Sequence, residues 1–182
     1  MATKVFHASQ DRNLKIILKN KGIHGFECVY AAYDPVIASL FLSNYGGDFT
    51  CSIGRETGTR TPFVCERFPG AFELRYQEVE GSIYALPADT FVSGLTSWNE
   101  EVISELNVPV YSETPIKNIR AFLYYLQGEE RLKIYQYPDR PQEVPYDKSD
   151  LHALVQISEG VLATDVWQVI QTYHPDIGMT LI

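Results

Sequence analysis

Apolar residues in this chain come in short runs broken by glycine, proline and small polar residues, and the spacing inside each run predicts its element. Lys4–Ser9 (KVFHAS) reads as an opening strand. Asp11–Lys21 carries Leu14, Ile16, Ile17 and Leu18 and is followed by Gly22, which predicts an amphipathic helix with a glycine stop. Phe26–Ala32 (FECVYAA) predicts a second strand. Asp34 and Pro35 form an N-cap and first-turn pair, and Ile37, Ala38, Phe41 and Leu42 supply the stripe of a helix. Residues 44–62 read as glycine-rich loop with one short strand at Phe49–Ile53. Phe63–Arg67, Ala71–Val79 and Ser82–Leu86 alternate as the strands of a meander do, with Pro-Gly or Gly between them.

Further along, Phe91–Asn99 predicts a loop, and Glu101–Ile103 and Val108–Tyr111 predict strands. Ile116–Leu126 predicts a helix with Ile116, Ile119, Leu123 and Leu126 on one side, and Lys133–Tyr137 a last strand. Pro138–Pro145 is extended connection, followed by two short helices at Ser149–Ser158 and Thr164–Tyr173. The succession is α+β. No repeat or shift of composition divides it, so one domain over residues 1–182 is expected: a core in 1–120 and an extension, 121–182, packed on it.

Composition narrows the setting. No run approaches the roughly 18 apolar residues of a membrane span, and Met1–Ser9 has none of the features of a signal peptide. A cytoplasmic protein without membrane contact is the expectation. Cys28, Cys51 and Cys65 are odd in number and lack CxxC spacing, which predicts reduced, buried thiols that pack as small hydrophobes. A formal net charge of −8 argues against broad phosphate contact, so a protein partner is favoured over nucleic acid. Arg55, Arg60, Arg67 and Arg75 are a local exception, read as a solvated face of surface pairs rather than as a grip for an anion. His7, His24, His152 and His174 are scattered, with no partner at ligand spacing, so no metal is expected. Nucleophile-elbow, P-loop and GxGxxG signatures are absent.

Three segments carry candidate chemistry. Residues 4–22 read KVFHASQDRNLKIILKNKG, a strand ending in His7-Ala8-Ser9, then Asn13, Ile17-Leu18 and Gly22. Residues 28–41 read CVYAAYDPVIASLF, with Tyr30 in the strand and an alanine-bearing helix behind it. Residues 98–104 read WNEEVIS, an Asn99-Glu100 pair leading into a strand. In order and spacing these resemble the catalytic domains of the poly(ADP-ribose) polymerase type, the His-Tyr-Glu branch of the ADP-ribosyltransferase superfamily. The resemblance covers about the first 120 residues and departs from the family at Ala8, where glycine is usual.

The resemblance implies a split, mostly antiparallel sheet with flanking helices and NAD in the cleft between its halves. It implies that His7 holds the adenosine ribose, that the Ala8 backbone and the Ser9 hydroxyl hold the carboxamide, and that Tyr30 stacks on nicotinamide. Glu100 then accepts from the ribose 2′-hydroxyl and stabilises the cation that forms as the glycosidic bond breaks. Glu101 is the rival carboxylate: strand parity lets only one of the two face the cleft. The implied activity is mono-ADP-ribosyl transfer from NAD to a macromolecular acceptor. Two alternatives stay open, an inactive NAD-binding or protein-interaction module of the same fold, and an RNA 2′-phosphotransferase. His7, Tyr30 and Glu100 are expected to converge in one cleft.

Overall fold

The computed structural model describes residues 3–21, 27–96, 98–157 and 164–178. Its strands and helices in chain order are β1 (Lys4–Ser9), β2 (Ile16–Ile17), β3 (Asn20–Lys21), β4 (Glu27–Ala32), α1 (Pro35–Leu40), β5 (Cys51–Arg55), β6 (Pro62–Glu66), α2 (Ala71–Tyr76) and β7 (Gly81–Pro87). There follow β8 (Val92–Ser93), β9 (Glu101–Ser104), β10 (Val108–Pro109), β11 (Ser112–Ile116), α3 (Ile119–Gly128), β12 (Lys133–Tyr135), α4 (Ser149–Ile157), α5 (Thr164–Tyr173) and α6 (Pro175–Gly178). The fold is α+β with a mostly antiparallel sheet. Among the described residues no helix is long and apolar enough to cross a membrane. Gly22, His24, Phe26 and Ser158, which the sequence assigned to element ends or to scattered histidines, lie outside the described residues.

Two compact units partition the chain: Met1–Leu42 with Glu78–Tyr125, and Ser43–Gln77 with Leu126–Ile182. The first holds a seven-stranded sheet in the order β11-β7-β1-β4-β9-β8, with β3 also paired to β4. β1 is central and runs its whole length against β7, from Lys4↔Pro87 to Ser9↔Ser82. Alternation along these strands sends Val5, Val29, Ala31, Tyr84, Leu86 and Val102 into one core. The β2–β10 ribbon contributes Ile17 and Val108 to that core. α1 packs against β1, β4 and β7, and starts as the sequence predicts: Asp34 accepts from the Val36 amide at 2.8 Å, with Pro35 in the first turn.

The helix expected over Asp11–Lys21 does not form. Asn13 takes a left-handed φ of 59°, and the segment continues as β2 and β3. Its amides find partners far along the chain: Asn13 N donates to Glu113, Leu14 N to the Tyr84 hydroxyl and Lys19 N to Asn107. Lys15 O accepts from Val110 N. Ile17 is buried while Ile16 and Leu18 are exposed, a strand's alternation within a run that also satisfies helical spacing. An isolated helix of this length is marginal in water, so the long-range bonds decide.

The second unit is built on the sheet β12-β6-β5, in which β5 is antiparallel and β12 parallel to β6. The strand expected over Ala71–Val79 is instead the helix α2, and no meander joins β6 to β7. Phe72, Leu74 and Tyr76 mimic strand alternation, but the buried set, Ala71, Phe72, Arg75 and Tyr76, has helical spacing. Gly70 enters α2 with a left-handed φ of 78° and offers no side-chain cap. Glu66 substitutes, accepting from the Phe72 amide at 2.8 Å and from the Tyr137 amide at 2.9 Å. A short 3-10 turn, Gly47–Phe49, occupies the start of the strand expected at Phe49–Ile53.

The arginine cluster divides: Arg60 is exposed and Arg55 half-buried, as expected of a solvated face, but Arg67 and Arg75 are buried. Arg75 is 2% exposed and donates to the carbonyls of Gly47 and Cys51, while Arg67 is buried and paired with Asp150. Fixed backbone carbonyls take the role that water would have on a surface. All three cysteines are free and buried, as expected, and burial pushes the Cys51 thiol up to about 12 and Cys65 up to about 11. Besides β2 and β3, the sequence reading missed β8, which lies in the expected loop Phe91–Asn99, and β11. The Ser-Glu-Thr-Pro-Ile sequence of β11 has no apolar alternation, because it is an edge strand paired on one side to β7.

Candidate functional site

His7 sits on β1 where the ladder to β4 stops. The two strands share one register pair, Phe6↔Ala32. Farther along, β4 also pairs with β3, at Asn20↔Cys28 and Lys21↔Glu27. Past the Phe6↔Ala32 join the His7 imidazole bridges β1 to β4, with Nδ1 2.7 Å from the Tyr30 carbonyl oxygen. A carbonyl only accepts, so Nδ1 carries the proton. Burial lowers the His7 pKa below its usual 6.5, and the carbonyl bond opposes that only in part. A neutral imidazole protonated on Nδ1 presents Nε2 as an acceptor.

The Tyr30 carbonyl fixes the direction of the neighbouring peptides as well. Because it points toward β1, so do the backbone groups of Ala32, the partner of Phe6. Phe6 therefore points back toward β4, and alternation aims the N–H and C=O of Ala8 the same way, past the end of the ladder. Ser9 closes the strand: its Oγ accepts from Asp11 N at 3.1 Å. Backbone donor and acceptor at Ala8, the His7 Nε2 and the Ser9 hydroxyl thus line one strand end. Gly81 permits the closure there, since a Cβ on it would stand 2.3 Å from the Ser9 carbonyl oxygen.

Tyr30 reaches this place through its backbone. Its side chain follows Cys28 and Ala32 on the face opposite Val29 and Ala31, whereas His7 shares its face with Val5 and its cross-strand partner Tyr84. The Tyr30 hydroxyl lies beside the Cys28 thiol, and burial, Cys28 and the charge of Glu101 all raise its pKa. Glu101 opens β9 opposite Ala32, and Ile103 stands opposite Tyr30, so Glu101 shares the face of the Tyr30 ring. Glu100 is half-buried in the turn before β9, which is closed by Glu101 N donating to Trp98 O. Glu100 itself precedes the strand, so the alternation of β9 begins only at Glu101. The structure thus joins His7 to the Tyr30 backbone but leaves the Tyr30 ring on the opposite face of the sheet, so the two side chains do not converge as expected.

One row of polar side chains escaped the sequence reading. His7, Tyr84 and Glu113 are successive partners across β1, β7 and β11. Glu113 Oε1 accepts from Ser82 Oγ at 2.6 Å and Asn13 N at 3.1 Å and lies 3.2 Å from Tyr84 Oη, and these contacts hold its carboxyl below the usual range. Tyr84 Oη also lies 2.8 Å from the Asp11 carbonyl oxygen. Only strand pairing brings these residues together, and no local motif marks them. Among the described residues no group of His, Cys, Asp and Glu could hold a metal ion. Comparison with family models, curated proteins and solved structures finds no match to this chain.

Proposed function

We propose that this chain is an NAD-dependent mono-ADP-ribosyltransferase whose site lies at the end of β1. One observation carries the reading. The sheet opens between β1 and β4 just past Phe6↔Ala32, and a neutral His7, held by the Tyr30 carbonyl, stands at the opening with Nε2 as acceptor. A ribose hydroxyl is a donor that suits Nε2, and a carboxamide needs the adjacent N–H and C=O that Ala8 offers along that edge. The methyl group of Ala8 narrows the approach without removing either backbone group.

Glu100 is the carboxylate of choice, because Asn99-Glu100 keeps the order of the resembled motif, while Glu101 is grouped with the Tyr30 ring and not with His7. Breaking the nicotinamide–ribose bond leaves positive charge on the anomeric carbon, and a carboxylate near it lowers the barrier. Nicotinamide departs with the bonding electron pair, and an acceptor nucleophile takes the ADP-ribosyl group. The acidic balance of the chain favours a protein acceptor.

Nicotinamide release and calorimetric NAD binding by Glu100→Gln and Glu101→Gln test the reading. Glu100→Gln is expected to leave affinity nearly unchanged and to slow release by about 100- to 1,000-fold, roughly 3–4 kcal/mol. Glu101→Gln is expected to do far less. Binding with no release by the wild type selects an inactive NAD-binding module, and an effect confined to Glu101 moves the reaction to the Tyr30 face. No binding at all refutes the proposal.

A further inference from the structure

We infer that Glu113 and Tyr84 are positioning residues for the ligand held at the end of β1, acting through the loop of residues 10–15; this rests on the NAD reading of that site. The loop leaves β1 directly after Ser9 and makes no helix, so its shape comes from bonds to other elements. Glu113 takes the Asn13 amide, Tyr84 donates to the Asp11 carbonyl and accepts from the Leu14 amide at 3.4 Å, and Ser9 takes the Asp11 amide. Arg12 adds a bond to the Ile116 carbonyl at 3.2 Å and an ion pair with Glu80 at 3.0 Å.

Two features tie this clamp to the site rather than to the fold in general. Tyr84 is the cross-strand partner of His7 itself, so its ring and the imidazole are neighbours on one face. Asn13 is held at a left-handed φ that it would leave readily once its amide partner is lost. Without the clamp, the loop samples shapes in which the Ser9 hydroxyl and the strand end are not set for a ligand. The fraction of competent molecules falls, and apparent affinity falls with it. Neither residue touches the reacting atoms, so the rate at saturation stays as it was.

Glu113 meets Ser82 and Asn13 through a single oxygen that acts only as acceptor, while the one hydroxyl proton of Tyr84 goes to the Asp11 carbonyl. An amide oxygen does the same, so Glu113→Gln should rescue what Glu113→Ala loses. Calorimetric NAD titration and nicotinamide release against NAD concentration would be measured for wild type, Glu113→Ala, Glu113→Gln and Tyr84→Phe. If the competent fraction drops to about a tenth, Kd and KM rise about tenfold in Glu113→Ala and Tyr84→Phe, with kcat within about twofold. Glu113→Gln should stay within about twofold of wild type on every measure. A fall in kcat at constant KM is the mark of a partly unfolded sample and overturns the inference, as does a Glu113→Gln as weak as Glu113→Ala. Wild-type affinity in all three variants sinks the clamp alone, whereas a wild type that binds no NAD sinks the reading of the site and the clamp with it.

Discussion

Glu66 is a buried carboxylate whose oxygens each accept a backbone amide, one entering α2 and one following β12. Replacing it with alanine takes the acceptor from the buried Phe72 N–H and from the partly buried Tyr137 N–H. A buried N–H left unpaired costs about 1–3 kcal/mol and a partly exposed one less, so the gross penalty is roughly 2–5 kcal/mol. Removing the desolvated carboxylate returns part of this, and a net loss of about 3 kcal/mol is expected for Glu66→Ala. For a chain of this size that lowers Tm by roughly 6–12 °C. Glu66→Gln keeps one acceptor oxygen but turns an amide donor toward the second N–H, so about half the loss, roughly 1–2 kcal/mol, should remain. Urea unfolding in a Trp98→Phe background measures this, because Trp167 then reports the unit that contains Glu66. A Glu66→Ala midpoint equivalent to a loss under about 1 kcal/mol, or a Glu66→Gln no better than Glu66→Ala, would refute the capping argument.

Burial lowers the pKa of both His7 and His174 below 6.5, so the unfolded chain takes up protons at a pH where the folded one does not. Stability should therefore be full above about pH 6.5 and fall as pH drops toward 5, by up to about 1.4 kcal/mol per pH unit for each histidine. His174→Gln, which can still donate to Phe49 O, should flatten the Tm-against-pH slope, and an unchanged slope would clear His174 of the effect. Gly81→Ala forces a Cβ to 2.3 Å from the Ser9 carbonyl oxygen and should destabilise by about 1–3 kcal/mol in urea unfolding. Trimming Leu42, the one side chain in the way, should not restore it, because the Ser9 oxygen and the Gln10 Cα belong to the backbone. Asp34→Ala removes the cap on Val36 and should cost about 1 kcal/mol in the same assay; no loss would mean that the Asp34 side chain is dispensable.

Where local chemistry decided the structure, the sequence was readable. The Asp34-Pro35 start of α1 stands as expected, as do Ile119, Leu123 and Leu126 on the buried side of α3, since caps and helical stripes act over a few residues; Ile116, expected in that helix, instead ends β11. Legibility ended where partners lie far away. Nothing near Leu14 announces that Tyr84 and Glu113 will take the amides around it, and the same run satisfied helix and strand spacing alike. α2 failed for a related reason, its cap being Glu66 rather than an adjacent serine or aspartate. At the candidate site, motif order identified His7 and its strand end. The carbonyl through which Tyr30 acts on His7, and the row through Tyr84 and Glu113, are products of pairing that side-chain identity does not encode.

The central place of β1 bears on the order in which the chain can assemble. Its long ladder is with β7, and the loop after it is fastened by residues 70 to 100 positions downstream. During synthesis at roughly 5–20 residues per second, the first strand waits several seconds or more with both edges open before β7 emerges. β4 arrives much sooner but offers one register pair, too little to trap a misaligned strand. β5 and β6 are neighbours in sequence and can zip early, whereas closing β1 onto β7 carries the larger loop entropy. Formation of that ladder is accordingly the step at which the first unit should commit to its native state, and the strand end bearing His7 takes its final shape only then.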